Sequence, residues 1–156
     1  IEELDSPTHL QLKQRLIDIQ RPPVHILHFD GHGTFARLCP NPECRRLNYP
    51  HTLSCGKCHQ PLEDIRARGY LLFESPTGEV DPVDTKRMLV GMSRSEIRLV
   101  VLASCLSAKV RGANMLASGV GPGLILGGVP AVIAMQFSLV SDHAISFNKE
   151  FYKAVH

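Results

Sequence analysis

His32 and Cys105 are the residue types that a thiol nucleophile and its base require, and each stands just past an apolar run. Val24-His25-Ile26-Leu27-His28-Phe29 leads into Asp30-Gly31-His32-Gly33. Ile97-Arg98-Leu99-Val100-Val101-Leu102-Ala103 leads into Ser104-Cys105. Buried parallel strands are near-continuous apolar runs, and reactive groups collect beyond their carboxyl ends. Placed side by side, two such strands deliver an imidazole and a thiol to one rim. The imidazole then supplies a base and stabilises the thiolate, which is the attacking species. The glycines flanking His32 allow a sharp turn and a close approach of backbone to substrate. Taken singly, Cys105 also suits a small buried hydrophobe, and Gly31-His32-Gly33 an ordinary turn. The shared position at strand ends favours the dyad.

The other four of the five cysteines lie together. Cys39-x4-Cys44 and Cys55-x2-Cys58 are two short-spaced pairs separated by ten residues. Each pair presents two sulfurs to one ion, and two pairs complete a tetrahedron, so a structural Zn²⁺ held by Cys39, Cys44, Cys55 and Cys58 is expected. The intervening segment is too poor in apolar residues to build a core, and a metal commonly folds such a segment. Four thiolates on Zn²⁺ leave a charge of about −2, which Arg45, Arg46 and Lys57 can offset. His51 and His59 are alternative ligands that two intact cysteine pairs make unnecessary. A closed site of this kind performs no metal catalysis. Both uses of cysteine need reduced thiols, which favours the cytoplasm over a disulfide framework. The ribbon begins only six residues after His32, so it is expected to emerge close to the active-site rim.

The elements that position these groups can be read from periodicity. Ser6-Pro7 reads as an N-cap with proline at the first helical position, and Leu12, Leu16 and Ile19 recur at helical spacing until Pro22-Pro23. Beyond the cysteines, Gly69 to Glu74 reads as a short strand and Ser75-Pro76-Thr77-Gly78 as a turn. A helix is expected near Asp84 to Met92, with Leu89 and Met92 inward. A short helix follows around Val120 to Leu126, and then a strand from Ala131 to Phe137. A last helix carries Phe147, Phe151 and Val155 four apart, with Asp142 near its start. Alternation of helices and apolar strands predicts an α/β chain with a mainly parallel sheet. His28 is expected to be packed or hydrogen-bonded rather than a second base. Asp30 can orient His32 or accept from its own turn.

Length and composition agree with one domain: 156 residues, 44% of them hydrophobic. A formal charge of +2 makes no electrostatic case for nucleic acid or a membrane. The stretch from Gly112 to Ser141 carries no charge, yet its glycines and prolines interrupt any spanning helix. No signal peptide is visible.

Three ordered segments of this chain resemble the signatures of the CHAT family of caspase- and separase-like cysteine peptidases. They are His28-Phe29-Asp30-Gly31-His32-Gly33, Leu99 through Ser107, and Gly127 through Ser138. The resemblance implies a caspase-like α/β/α sandwich, formed by residues 1–38 and 69–156 and interrupted by a zinc ribbon over 39–68. It implies His32 as general base, Cys105 as nucleophile, and the Gly33 and Cys105 amides as oxyanion donors. It places the primary specificity pocket at Gln136-Phe137-Ser138, extending toward Asp142, which also suits a cap or first-turn acid of the last helix. By the same resemblance the substrate is a protein or peptide. A regulatory partner or adjoining domain such as TPR repeats gates activity, and the present chain is a catalytic domain incomplete at both ends. The alternative is a catalytically silent scaffold whose ribbon mediates protein contacts.

Overall fold

The computed structural model describes residues 2–5, 7–104, 119–135 and 141–155. In chain order the elements are α1 (His9–Leu16), β1 (Ile26–Asp30), β2 (Gly33–Leu38), β3 (Leu47–Asn48), β4 (Arg68–Glu74) and β5 (Val80–Val83). They continue through α2 (Thr85–Met92), β6 (Leu99–Ala103), α3 (Val120–Leu126), β7 (Ala131–Ala134) and α4 (Ser141–Val155). They build a mixed α/β fold with two sheets. One is three-stranded and parallel, in the order β1-β6-β7. The other is four-stranded and antiparallel, in the order β3-β2-β4-β5.

The second sheet corrects the expectation of a single, mainly parallel one. Its origin is local. The residues directly after His32 continue as β2, which pairs with β4 from Gly33↔Leu71 to Ala36↔Arg68. β4 and β5 are joined by the Ser75-Pro76-Thr77-Gly78 turn, closed by Ser75 N–H to Glu79 O (2.7 Å) and Gly78 N–H to Ser75 O (2.9 Å). A connection this short joins only antiparallel neighbours, and Gly78 supplies the positive φ of 78° that it needs.

β6 lies at the centre of the parallel sheet, with Val100, Val101 and Leu102 fully buried. Alternate residues face opposite sides of a strand. Leu27 and Phe29 of β1, Val100 and Leu102 of β6, and Val132 and Ala134 of β7 therefore line one face. That face packs against Met88 and Met92 of α2, Val120 and Leu124 of α3, and Leu71 and Phe73 of β4. Each fully buried side chain of this size contributes about 1.5–3 kcal/mol. On the opposite face Tyr152 of α4 stacks on His28, ring centroids 5.5 Å apart, with Tyr152 Oη and His28 Nδ1 at 2.6 Å.

Helix α1 starts later and ends sooner than its periodicity suggests. Thr8, not Ser6, is the N-cap: its hydroxyl accepts the Gln11 N–H at 3.2 Å while Gln11 Oε1 accepts the Thr8 N–H at 2.8 Å. This reciprocal pair satisfies two otherwise orphaned donors, which a proline at position 7 cannot match. Leu12 and Leu16 are buried, whereas Ile19 lies past the helix end and is 98% exposed. β7 stops at Ala134, short of the Phe137 expected, and residues 136 and 137 lie outside the described residues. Met88, which periodicity did not single out, is the more deeply buried partner of Met92 on α2. No helix among the described residues is long and apolar enough to cross a membrane.

Gly69 lets β4 approach the start of α3. A Cβ there would stand 2.9 Å from the Val120 backbone nitrogen and 3.1 Å from Val120 Cγ2. Gly69→Ala should therefore destabilise the fold by about 1–3 kcal/mol, read as a lowered urea midpoint. An unchanged midpoint would mean that β4 and α3 do not pack as described.

Two histidines give the fold an acid limit. Burial lowers the pKa of His9, helped by Arg87 and Lys13, against an opposing effect of Asp81. Burial likewise lowers that of His28, opposed by Asp30. Both sites favour the neutral ring, so the native state binds fewer protons than the unfolded chain. Stability is held above the unfolded value of about 6.5 and lost as pH falls below it. Chemical denaturation across this range should show the decline, and the double variant His9→Gln, His28→Gln should flatten it.

Candidate functional site

β1 ends at Asp30 and β2 begins at Gly33, so His32 occupies the corner where the chain leaves the parallel sheet for the antiparallel one. His32 is exposed, and its carbonyl accepts the Leu72 N–H at 2.9 Å, tying the corner to β4. Gly31 owes its identity to packing rather than to φ. A Cβ on it would meet Phe29 Cζ at 3.0 Å, and the positive-φ glycines among the described residues are Gly78 and Gly128. Phe29 itself lies against Phe73, 5.1 Å between centroids.

Antiparallel ladders alternate between pairs that exchange hydrogen bonds and pairs that do not. The bond from Leu72 to His32 makes 32/72 a bonded pair, so at Gly33↔Leu71 the backbone groups point away from β4. The Gly33 N–H is thereby turned outward beside His32. Among the described residues no side chain stands within hydrogen-bond distance of the His32 ring, and Asp30 bonds neither that ring nor its own turn. Asp30 instead lies two residues from His28 on the same strand face, and its charge acts on that ring. His28 is engaged by Tyr152, as a packed and hydrogen-bonded group.

Cys105 lies outside the described residues, as do Gln136 and Ser138; Asp142 is the second residue of α4, and its side chain is likewise outside them. The strand that leads to Cys105 is described. β1 and β6 pair in parallel through five register positions, ending at Asp30↔Ala103. His32 follows Asp30 by two residues, and Cys105 follows Ala103 by two. Adjacent strands lie about 4.8 Å apart.

The metal-type cluster is fully formed. The Sγ atoms of Cys39, Cys44, Cys55 and Cys58 all lie within 4.8 Å of one another. Cys39 and Cys58 are 3.5 Å apart and Cys44 and Cys55 3.7 Å, far beyond a disulfide bond of about 2.05 Å. A tetrahedron with metal–sulfur distances of about 2.3 Å has sulfur–sulfur edges of about 3.8 Å, so the cluster fits a zinc-sized ion. Burial pushes the Cys39 thiol up to about 12. The Cys58 backbone N–H, with that of Lys57, holds Cys55 down to about 6. Four thiolates this close repel one another, and a cation relieves that repulsion.

Local backbone geometry makes the two halves of the cluster alike. Cys39 N–H donates to Arg46 O (2.9 Å) and Cys55 N–H to Gln60 O (2.8 Å). The residue after the second cysteine of each pair takes a left-handed conformation: Arg45 at φ 42° and His59 at φ 59°. These are non-glycine residues in a region that costs free energy, held there by the surrounding turns. His59 therefore serves as a turn residue, and His51 stacks on Tyr49 at 5.9 Å.

Two polar residues that sequence reasoning did not single out support the cluster. Buried Asn48 donates to Arg46 O (2.9 Å), accepts the Gly56 N–H (3.1 Å), and sets its Nδ2 3.7 Å from Cys55 Sγ. Arg37 on β2 donates from Nη1 to Leu62 O (2.6 Å) and Thr52 O (3.2 Å). An asparagine four residues past a cysteine and an arginine two before one are weak signals in sequence.

The ribbon does not emerge at the rim that holds His32. Residues 33–38 are a strand, and at about 3.3 Å per residue they carry the cluster some 20 Å out, to the far tip of the β2–β4 hairpin.

Comparison with curated proteins and with solved structures finds no match. A family model does match, the CHAT domain, over residues 4–156, a span that includes the cysteine cluster. The chain belongs to the CHAT domain family, which is related to the cysteine peptidases.

Proposed function

We propose that this chain is a cysteine endopeptidase domain of the caspase-like type, acting through His32 and Cys105. The observation that carries the reading is the register Asp30↔Ala103, since His32 and Cys105 each follow that pair by two residues in sequence. His32 takes the thiol proton, and the Cys105 sulfur attacks the scissile carbonyl. The Gly33 and Cys105 amides receive the developing oxyanion, a role that suits the outward turn of the Gly33 N–H. Collapse of the tetrahedral intermediate breaks the C–N bond, and His32 returns the proton to the leaving amine. A water then hydrolyses the thioester, with His32 as its base, and frees the thiol and the new carboxylate. Gln136, Ser138 and Asp142 are the proposed lining of the primary specificity pocket. A partner or adjoining domain that gates access, and a reducing cytoplasmic setting, complete the proposal.

Cys105→Ala and His32→Ala should each reduce cleavage of a peptide library by about 10³-fold or more, because the two act as a unit. An electrophilic peptide probe should modify Cys105 in the wild type. Near-native turnover in either variant overturns the dyad.

The cluster is proposed to hold a structural Zn²⁺. Metal analysis should find one zinc per chain, with X-ray absorption giving four sulfur ligands at about 2.3 Å. Because Asn48 braces Arg46, Gly56 and Cys55, Asn48→Ala should weaken zinc affinity by about tenfold to a hundredfold in a competition titration. Absence of zinc from freshly purified chain, or unchanged affinity in the variant, counts against this assignment.

A further inference from the structure

The cysteine cluster and His32 stand at opposite ends of β2, in the four-stranded sheet, and that arrangement links them mechanically. β2 is six residues long and runs from Gly33, beside His32, to Leu38, beside Cys39. Its ladder with β4 has four register pairs, from Gly33↔Leu71 to Ala36↔Arg68. Its last two residues are held by the ribbon itself, through Arg37↔Asn48 and Leu38↔Leu47 of β3. Beyond Ala36 the strand partner of β2 among the described residues is β3, so the ribbon decides how that end of β2 is held.

Arg37 is the group through which the ribbon grips β2. Its Nη1 reaches Leu62 O and Thr52 O, both ribbon carbonyls. Its buried Nε has no partner among the described residues, so no second set of acceptors holds the guanidinium in place. The ribbon in turn has a very small apolar core: Leu62 with Cys39 and Cys55, flanked by Ile65, Cys44 and Cys58. A core of that size does not order a segment without its metal. Loss of the ion would release the Thr52 and Leu62 carbonyls from fixed positions, free Arg37, and detach β3 from β2.

We infer that the metal-loaded ribbon sets the placement of His32 through Arg37, which makes Arg37 a positioning residue and metal occupancy a control on the catalytic rim. The inference rests on the peptidase reading for its consequence in catalysis, while the mechanical link stands on the hairpin alone. The link runs from the sulfur cluster to Asn48 and Arg37, along β2, and into the bond between Leu72 N–H and His32 O.

Hydrogen exchange on the zinc-loaded chain tests the link without using activity. Removing zinc with a chelator should raise exchange of the Leu72 amide by about tenfold or more, while the β6 amides from Leu99 to Ala103 keep their protection. Arg37→Met, which keeps the aliphatic stem, measured on protein that metal analysis shows to be zinc-loaded, should give the same selective change, and Arg37→Lys should restore part of it. If chelation unfolds the whole chain, the zinc-loaded Arg37→Met protein decides alone. Unchanged Leu72 exchange in that protein overturns the inference. A second readout concerns chemistry: in Arg37→Met the pH midpoint of Cys105 alkylation should move toward the value of about 8.5 for an unassisted thiol. A midpoint equal to wild type overturns the positioning role. Absence of any cleavage or probe labelling in wild type would sink the peptidase reading and leave the exchange result standing.

Discussion

Parallel pairing of β1 with β6 is the constraint from which the rest of the structure follows. Five register positions, from Ile26↔Leu99 to Asp30↔Ala103, hold a strand near the start of the chain to one 73 residues later. The pairing persists because β6 is buried on both faces, Val100 and Leu102 toward α2 and α3 and Val101 toward the other side. Removing such a strand from its ladder would leave buried backbone amides and carbonyls unpaired, a cost far above that of one lost contact. With the ladder in place, both strands end at one rim, and the position of His32 is set by covalent connection to Asp30.

The two sheets divide the work. The parallel sheet is a hydrophobic construction, covered on one face by the helices and β4 and on the other by α4 through the contact of Tyr152 with His28. The antiparallel sheet reaches outward, and its far end is organised by sulfur rather than by apolar burial. Distance separates the two groups: about 20 Å of β2 lies between the His32 corner and the four cysteines. His32 sits at the hinge of these two constructions. Its ring is exposed at the rim while its carbonyl is fastened to β4.

Close contact carries this arrangement as much as hydrogen bonding does. A Cβ at Gly31 would stand 3.0 Å from Phe29 Cζ, and Phe29 lies against Phe73 of β4, so there is little room beneath the corner. Gly69 brings the other end of β4 against the first turn of α3. The helix that follows the Cys105 strand and the hairpin that follows His32 are thus locked to each other through one glycine. The hairpin after His32 and the helix after β6 both rest on β4, a strand that contributes no candidate site residue of its own.

Much of the site is legible in sequence because its signals are local. Two strands ending in reactive residues, two short-spaced cysteine pairs, the Asp84-capped helix and the α3 segment all announce themselves within a few residues. The CHAT family could be read in the same way, from three short ordered segments. What needed the tertiary structure was every feature set by partners distant in sequence. β2 reads as nothing in particular until β4 pairs with it, so the second sheet, and the outward placement of the ribbon, were not visible. Arg37 and Asn48 are ordinary polar residues in sequence and acquire their roles from carbonyls and a sulfur that other segments deliver. Thr8 displaced Ser6 as the cap of α1 because Gln11 could answer it, a reciprocity that only the folded backbone reveals. By itself the sequence determined which residues are candidates for chemistry, since side-chain type and short spacing are written in the chain. The fold decided how far apart the two chemistries stand and what joins them, since strand pairing is a choice among partners that no local segment makes.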